Sequence, residues 1–543
     1  MRSTAGSSNK IAVAIGLITV IVLLLTTGGI GVTWDEPVYI ASSNSYAAWF
    51  QRLISDPIGA MNPEGIRTAW EVAHEHPPLA RIYSGLIWSV ARHLTDDLTA
   101  HRLGNILLVG VMAALLYKLV AEETNRLAGI ASIVALFAMP RFFFHAHLIE
   151  LDMPVAAMSV IVVYIFWRTK ENAQVRHTLL LGVAWGMALS VKDTTIIILP
   201  TLLLWVLMIH RKDFLLFRVL IAGAVAVPVF WVLWPWLYYD TVRRLIEFLL
   251  FPFLAHWLNR EFYLGRIYTT TPWHYPFVMI AAVIPLGTTL LYLAGIARSA
   301  VSRRIRPFGL FLLFNALAPL LIQASGRFTA FDGERFSMAA FPFLAALAGL
   351  GFAWLAQLVR VLLRRLRAPA LSSAVSFAIG ILLVLSPIFD TARLYPHLLS
   401  YYSEQVGGLP GAVELGLEPT YWCDMYIEAV RYINEHAQPG DSVWAEGSSF
   451  RVFLYYQLIG VLRSDVLLAV PPGSTSIFGP DRPFHAVDED YTRADIVVVQ
   501  NHKILFYDNY SEPNGFSAWT ARRQPVREWT LDGVTVLTIY ENP

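Results

Sequence analysis

Two adjacent carboxylates, Asp35 and Glu36 in Thr33-Trp34-Asp35-Glu36-Pro37, follow directly on an apolar run from Ile11 to Ile30. Ionised side chains at the end of a membrane span are costly unless they face water or a partner, so such a pair marks a candidate site. Its chemistry would be acid–base work at a membrane surface. A structural reading competes, because Thr33 and Glu36 have the spacing of a helix capping box and Glu36-Pro37 suits a first helical turn. Asp152, in Leu151-Asp152-Met153-Pro154 at the start of another apolar run, poses the same choice between site residue and helix N-cap. His74-Glu75-His76-Pro77-Pro78, Arg81, Lys192, Arg260, Arg266 and Arg335 add imidazole, carboxylate and cationic groups near span ends.

The elements that must position these residues are set by composition. Of 543 residues 56% are hydrophobic and 15% charged, and the mean hydropathy is +0.52, which fits a polytopic α-helical membrane protein. A net charge of +1 argues against a nucleic-acid partner. The single cysteine, Cys423, excludes an internal disulfide framework. The run from Ile11 to Ile30 is about 20 residues long and lacks a small-x-small cleavage signal, so it reads as a retained first span rather than a signal peptide. Further spans are expected near 102–120, 127–143, 153–168, 177–191, 194–210, 215–238, 275–297, 307–325, 337–357 and 372–389, about eleven in all. Leu79 to Thr95, with a short apolar centre between Arg81 and Arg92, reads as an interfacial helix. Lys and Arg then collect on every second connection, including Arg298 to Arg306 and Arg360 to Arg367, which puts the N-terminus in the cytoplasm. The candidate site residues fall on the outer side, in a multi-pass protein of the cytoplasmic membrane.

The transmembrane domain is expected over residues 1–390, with an outer loop at 31–101 bearing interfacial helices. Residues 391–543 read as an extracytoplasmic α/β domain. Within it Asp424 to His436 has helical spacing, and Ser442 to Ala445, Asp495 to Val499 and Val534 to Tyr540 read as strands. The aromatic run Trp231, Trp234, Trp236, Tyr238 and Tyr239 reads as an interfacial belt or a lining for a lipid groove.

Taken in series, Asp35-Glu36, Glu75-His76-Pro77-Pro78-Leu79, Leu151-Asp152-Met153-Pro154, Pro272-Trp273-His274-Tyr275-Pro276 and Gly333-Glu334-Arg335-Phe336 resemble the GT-C superfamily of membrane glycosyltransferases. The branch is that of protein O-mannosyltransferases and aminoarabinose lipid A transferases. Pro396 to Tyr402, Gly407-Gly408 and Tyr421-Trp422 are similar to the junction before a C-terminal domain in bacterial members. The resemblance implies inverting transfer of a hexose or pentose from a polyprenyl-phosphate donor to a protein, lipid or glycan acceptor. It implies Asp35 as base, with Glu36 and Asp152 orienting it or the acceptor. His76, Arg81, Lys192, Arg266 and Arg335 are candidates for the donor phosphate, His76 replacing the lysine usual before Pro-Pro. Glu75 matches a position that ligates a divalent metal ion in some relatives, and His256 is a candidate second ligand; His74, His76, His145, His147 and His274 are others. Chemistry supports the same reading, since such a transfer needs a base near the acceptor, positive charge near the leaving phosphate, and exclusion of water. A transporter or flippase would instead show broken helices near the bilayer midplane and related halves. A noncatalytic scaffold of the same fold would keep the architecture without using Asp35.

Overall fold

Apolar helices of membrane-crossing length build most of the first 394 residues. The computed structural model describes residues 2–172, 174–210, 212–254, 260–327, 330–446, 449–479, 484–506 and 513–542. Among these, eight helices are long and apolar enough to cross a membrane: Ser8–Thr27, Asp97–Glu123, Asp152–Thr169, Asp193–His210, Asp213–Val232, Arg306–Ala324, Arg335–Arg365 and Pro369–Leu394. Arg126–Phe137 and Val175–Leu189 are shorter apolar helices, and Tyr275–Val283 with Leu286–Val301 forms a pair bent by 119°. These segments fall where the eleven spans are expected, and Leu79–Ala91 is a separate short helix, as its flanking arginines suggest.

Local chemistry sets the breaks. The expected span at 127–143 stops at Phe137, because Pro140 lacks an N–H and biases Met139 to extended backbone; a short helix, Pro140–His145, follows. Asp96 and Asn125 cap the helices after them by accepting from Thr99 N and Ala128 N. At the bend near Pro285 the carbonyls of Ala281, Ala282 and Ile284 accept from Ser403 and Gln405. Backbone groups freed by the break are thus satisfied by the junction to the C-terminal domain.

The outer loop is more ordered than a loop: it holds helices Glu36–Ser55, Pro57–Met61 and Pro63–Trp70 before Leu79–Ala91. Tyr46 stacks on Trp70 at 4.3 Å, Trp49 meets Trp70 edge-on at 5.1 Å, and Trp234 and Trp236 are buried in the same cluster. The aromatic run therefore divides. Trp231 and Tyr239 remain exposed as a belt would be, whereas Trp234 and Trp236 fasten the outer helices together.

The C-terminal domain is a six-stranded sheet in the order β5-β4-β3-β6-β8-β7, comprising β3 Ser442–Ala445, β4 Leu467–Val470, β5 Ala486–Asp488, β6 Ile496–Gln500, β7 Arg527–Leu531 and β8 Val534–Glu541. Strands β5, β4, β3 and β6 run parallel, and β8 and β7 close the sheet antiparallel. A separate hairpin pairs β1 Glu261–Tyr263 with β2 Arg266–Tyr268. The domain is fastened to the membrane helices by Trp34 N to Trp422 O (3.0 Å), Val32 N to Tyr456 Oη (2.7 Å) and Tyr455 Oη to Asp97 Oδ2 (2.8 Å).

Candidate active site

The turn carrying Asp35 is fixed from below by Glu36. The Glu36 carboxylate is fully buried and forms a forked pair with Arg102, at 2.8 Å from Nε and 2.7 Å from Nη2. It also accepts from Thr33 N (2.9 Å) and Ile149 N (3.1 Å), while Arg102 donates to the carbonyls of Ile30 (2.9 Å) and Gly31 (2.7 Å). Half of the expected capping box forms, since Thr33 Oγ1 has no hydrogen-bond partner among the described residues. Glu36 thereby holds the turn that carries Asp35 from behind the cavity wall and does not itself line the cavity.

Asp35 precedes the first turn of Glu36–Ser55 and lines a cavity of about 740 Å³. Its Oδ2 accepts from Arg335 Nη1 at 3.0 Å. The Arg335 guanidinium lies 4.6 Å from the ring centre of Trp422 and 4.8 Å from those of Phe331 and Phe336, and its Nε is 3.5 Å from Asp332 Oδ2. Trp422 Nε1 donates to the same Asp332 oxygen at 3.1 Å. Burial pushes the Asp332 carboxyl up to about 6, against the pull of Arg335. Below it Glu261 accepts from Tyr275 Oη (2.7 Å) and Asp332 N (2.9 Å), and burial pushes its carboxyl up to about 8. Tyr275 Oη is also 2.9 Å from Gly333 O, so the Pro-Trp-His-Tyr-Pro and Gly-Glu-Arg-Phe segments are tied to each other.

Asp152 forms the cavity's second charged pair, its Oδ1 2.5 Å from Lys192 Nζ, both more than nine-tenths buried. The N-cap reading of Asp152 fails, since it is the first helical residue and its carboxylate points to Lys192. Glu150 takes over part of that capping task by accepting from Met153 N at 2.9 Å. His145 contacts Glu150 (3.3 Å) and Tyr421 Oη (3.1 Å), and Tyr421 Oη donates to Glu334 (3.2 Å), itself paired with Arg141 at 2.6 Å.

Lys192, His76 and Glu75 border both the cavity and an apolar groove of about 140 Å³ that opens beside it between Val155, Ile197, Phe248, Phe251, Ile322 and Ala339. Arg260 also lines the cavity. The remaining candidates lie elsewhere. Arg81 is fully buried and donates to the carbonyls of Ala73 (2.6 Å), His76 and Pro77 (3.1 Å), so it shapes the loop that presents His76 and does not face the cavity. Arg266 is exposed on β2, away from the cavity. His74 stacks on Trp236, His147 contacts Thr26 Oγ1 (2.8 Å), and His274 contacts Tyr263 Oη (2.8 Å). His256 lies outside the described residues, so its pairing with Glu75 is not part of this geometry. Among the described residues no three His, Cys, Asp or Glu side chains gather as a metal site. A larger cavity of about 970 Å³, between Thr27–Gly31 and the helix Phe450–Leu458, is lined by none of the candidate residues.

Arg102, Glu261, Asp332 and Glu446 were not singled out by the sequence. Asp332 directly precedes the Gly333 motif, which is the one signal that points to it. Glu446 lies 4% exposed at the end of β3 and borders the cavity. Chemically, the cavity holds a carboxylate at one wall, an ammonium at another, and an apolar groove leading to the ammonium.

Residues 75–239 match the model of the dolichyl-phosphate-mannose-protein mannosyltransferase family. No curated protein matches the sequence. ArnT from Cupriavidus metallidurans in the apo state superposes with a TM-score of 0.50 over 99% of this chain and 98% of that one, at 16% identity. The chain has the GT-C fold. Two further GT-C structures are similar: the same ArnT bound to undecaprenyl phosphate (TM-score 0.49, 16% identity, 97% of each chain), and the archaeal oligosaccharyltransferase AglB from Archaeoglobus fulgidus (0.45, 11%, 89% of this chain and 69% of that one). In this GT-C chain the matched family segment runs from Glu75 to Tyr239 and contains Asp152 and Lys192.

Proposed function

We propose that the protein is an inverting glycosyltransferase that moves a sugar from a polyprenyl-phosphate donor to an acceptor on the outer side of the cytoplasmic membrane. One observation carries the reading: the apolar groove and the polar cavity meet at Lys192 and His76, in the same cavity that Asp35 lines. The start of a polyprenyl tail suits this small apolar groove, and its phosphate then lies where Lys192 and His76 supply a cation and a hydrogen-bond donor. The family matched over residues 75–239 is named for a polyprenyl-phosphate sugar, dolichyl-phosphate-mannose.

Asp35 takes the proton of the acceptor hydroxyl. The acceptor oxygen attacks the anomeric carbon as the bond from that carbon to the phosphate oxygen breaks. The polyprenyl phosphate leaves carrying the bonding pair, stabilised by Lys192. A single displacement inverts the anomeric centre. Arg335 holds Asp35 in orientation, and Asp152 fixes Lys192. The acceptor class is a protein, lipid or glycan hydroxyl.

The test is to incubate purified protein in lipid with decaprenyl-phosphate-linked mannose, glucose, galactose and arabinose, and to follow release or transfer of sugar with its anomeric configuration by NMR. An inverted product from at least one donor supports the reading, and a retained configuration or no turnover of any donor contradicts it.

A further inference from the structure

The C-terminal domain sends a carboxylate into the cavity that the transfer chemistry does not use. Glu446 directly follows β3, a central strand in the parallel part of the sheet, where α/β domains present ligand-binding groups beyond the carboxyl ends of their strands. Ser449 N, just before the helix Phe450–Leu458, donates to Glu446 O at 2.9 Å. The side chain is 4% exposed, borders the cavity, and its Oε2 has no hydrogen-bond partner among the described residues. Arg451, in the first turn of that helix, borders the same cavity with its Nε unpartnered among those residues. Burying a polar oxygen without a hydrogen-bond partner is costly, and the cost is offset when a bound molecule supplies one.

The chemistry of that molecule follows from the other groups lining the cavity. Lys192 and Arg335 attract an anion, while burial pushes the Glu446 carboxyl well above the usual carboxylate range, so it can both donate to and accept from hydroxyls. We propose that Glu446, with Arg451 beside it, is a sugar-recognition wall contributed by the C-terminal domain, binding the polyol face of the glycosyl group or of a glycan acceptor held against Asp35. This rests on the transferase reading for its setting. Through it the soluble domain selects which sugar occupies the cavity, and the membrane domain performs the displacement.

The experiment uses the full chain in lipid nanodiscs and reads ligand-dependent thermal shifts, so that turnover is not required. The probes are decaprenyl phosphate, the same lipid linked to mannose, glucose, galactose or arabinose, and the methyl glycosides of those sugars. Wild type is expected to be stabilised more by at least one sugar-bearing probe than by decaprenyl phosphate. Glu446→Gln is expected to lose affinity for that probe by about threefold or more, the effect of one weakened hydrogen bond, and to bind decaprenyl phosphate unchanged. Loss confined to lipid-linked sugars assigns the wall to the donor, and loss extending to methyl glycosides assigns it to a glycan acceptor. Replacing a buried carboxyl by an amide of the same shape should preserve the fold; Glu446→Asp, which retracts the carboxyl, is the second variant and is expected to weaken the same probe. If wild type distinguishes no sugar, or both variants bind every probe as wild type does, the proposal is overturned. A sugar-dependent shift lost in Glu446→Gln, without turnover by wild type, would keep the wall and overturn the transferase; turnover with sugar affinity unaltered in both variants would do the reverse.

Discussion

Asp35 and Glu36 are neighbours in sequence with opposite environments. Asp35 lines the cavity with its side chain 28% exposed, and Glu36 is sealed against Arg102. Breaking a buried ion pair from one side leaves the other charge uncompensated, at about 3–5 kcal/mol. Glu36→Gln is therefore expected to cost about 3–5 kcal/mol in thermal or denaturant melts. Asp35→Asn should cost about 1 kcal/mol or less, because it keeps a hydrogen-bond acceptor for Arg335. The Asp152–Lys192 pair separates stability from binding. Lys192→Met alone should lose both stability and donor affinity, while the double variant Asp152→Asn/Lys192→Met regains stability in melts yet keeps a raised donor KM. Glu261 and Asp332 give a pH signature. Burial holds the Glu261 carboxyl at about 8 against an ordinary 4.5, so the folded state keeps a proton that the unfolded chain releases. Its stabilising contribution is full below about pH 4.5 and is lost as pH rises through about 8. Melting temperature should fall across that window, and Glu261→Gln should flatten the fall.

Elements were legible where their signal was local. Apolar runs and the alternation of basic connections placed the spans, and β3 has the bounds its sequence suggests, Ser442 to Ala445. The bend at Pro285 was hidden, because the groups that satisfy it, Ser403 and Gln405, lie more than a hundred residues away. Asp35, Asp152, Lys192 and Arg335, candidates from the sequence, line one cavity. Arg81 and Glu36 do not line it, because a charge near a span end can face a backbone carbonyl or a buried partner as readily as a ligand. Glu446 gave no signal, since its meaning comes from the sheet topology. The groove makes a prediction at this scale. Ala339→Trp, on its wall, should raise KM severalfold for a decaprenyl-linked donor and leave a short-chain citronellyl donor unaffected, as measured by steady-state kinetics.

Across the whole molecule, the membrane helices and the C-terminal sheet share the cavity. Trp422 covers Arg335, Tyr421 ties His145 to Glu334, and Glu446 lines the cavity. The domain is thus part of the cavity's structure, and without it Arg335 would lose the Trp422 ring from its aromatic surround. The central claim is that this shared cavity uses Asp35 as the base for sugar transfer from a polyprenyl phosphate. Its most direct test is turnover of a labelled decaprenyl-phosphate sugar by purified wild type and Asp35→Asn in lipid, with melting curves for both. The account predicts turnover by wild type, a fall of at least about a hundredfold in the variant, the scale of general-base catalysis, and closely similar melting. Turnover that survives in Asp35→Asn, or a variant that loses stability as Glu36→Gln is expected to, would contradict it and make the carboxylate a structural group.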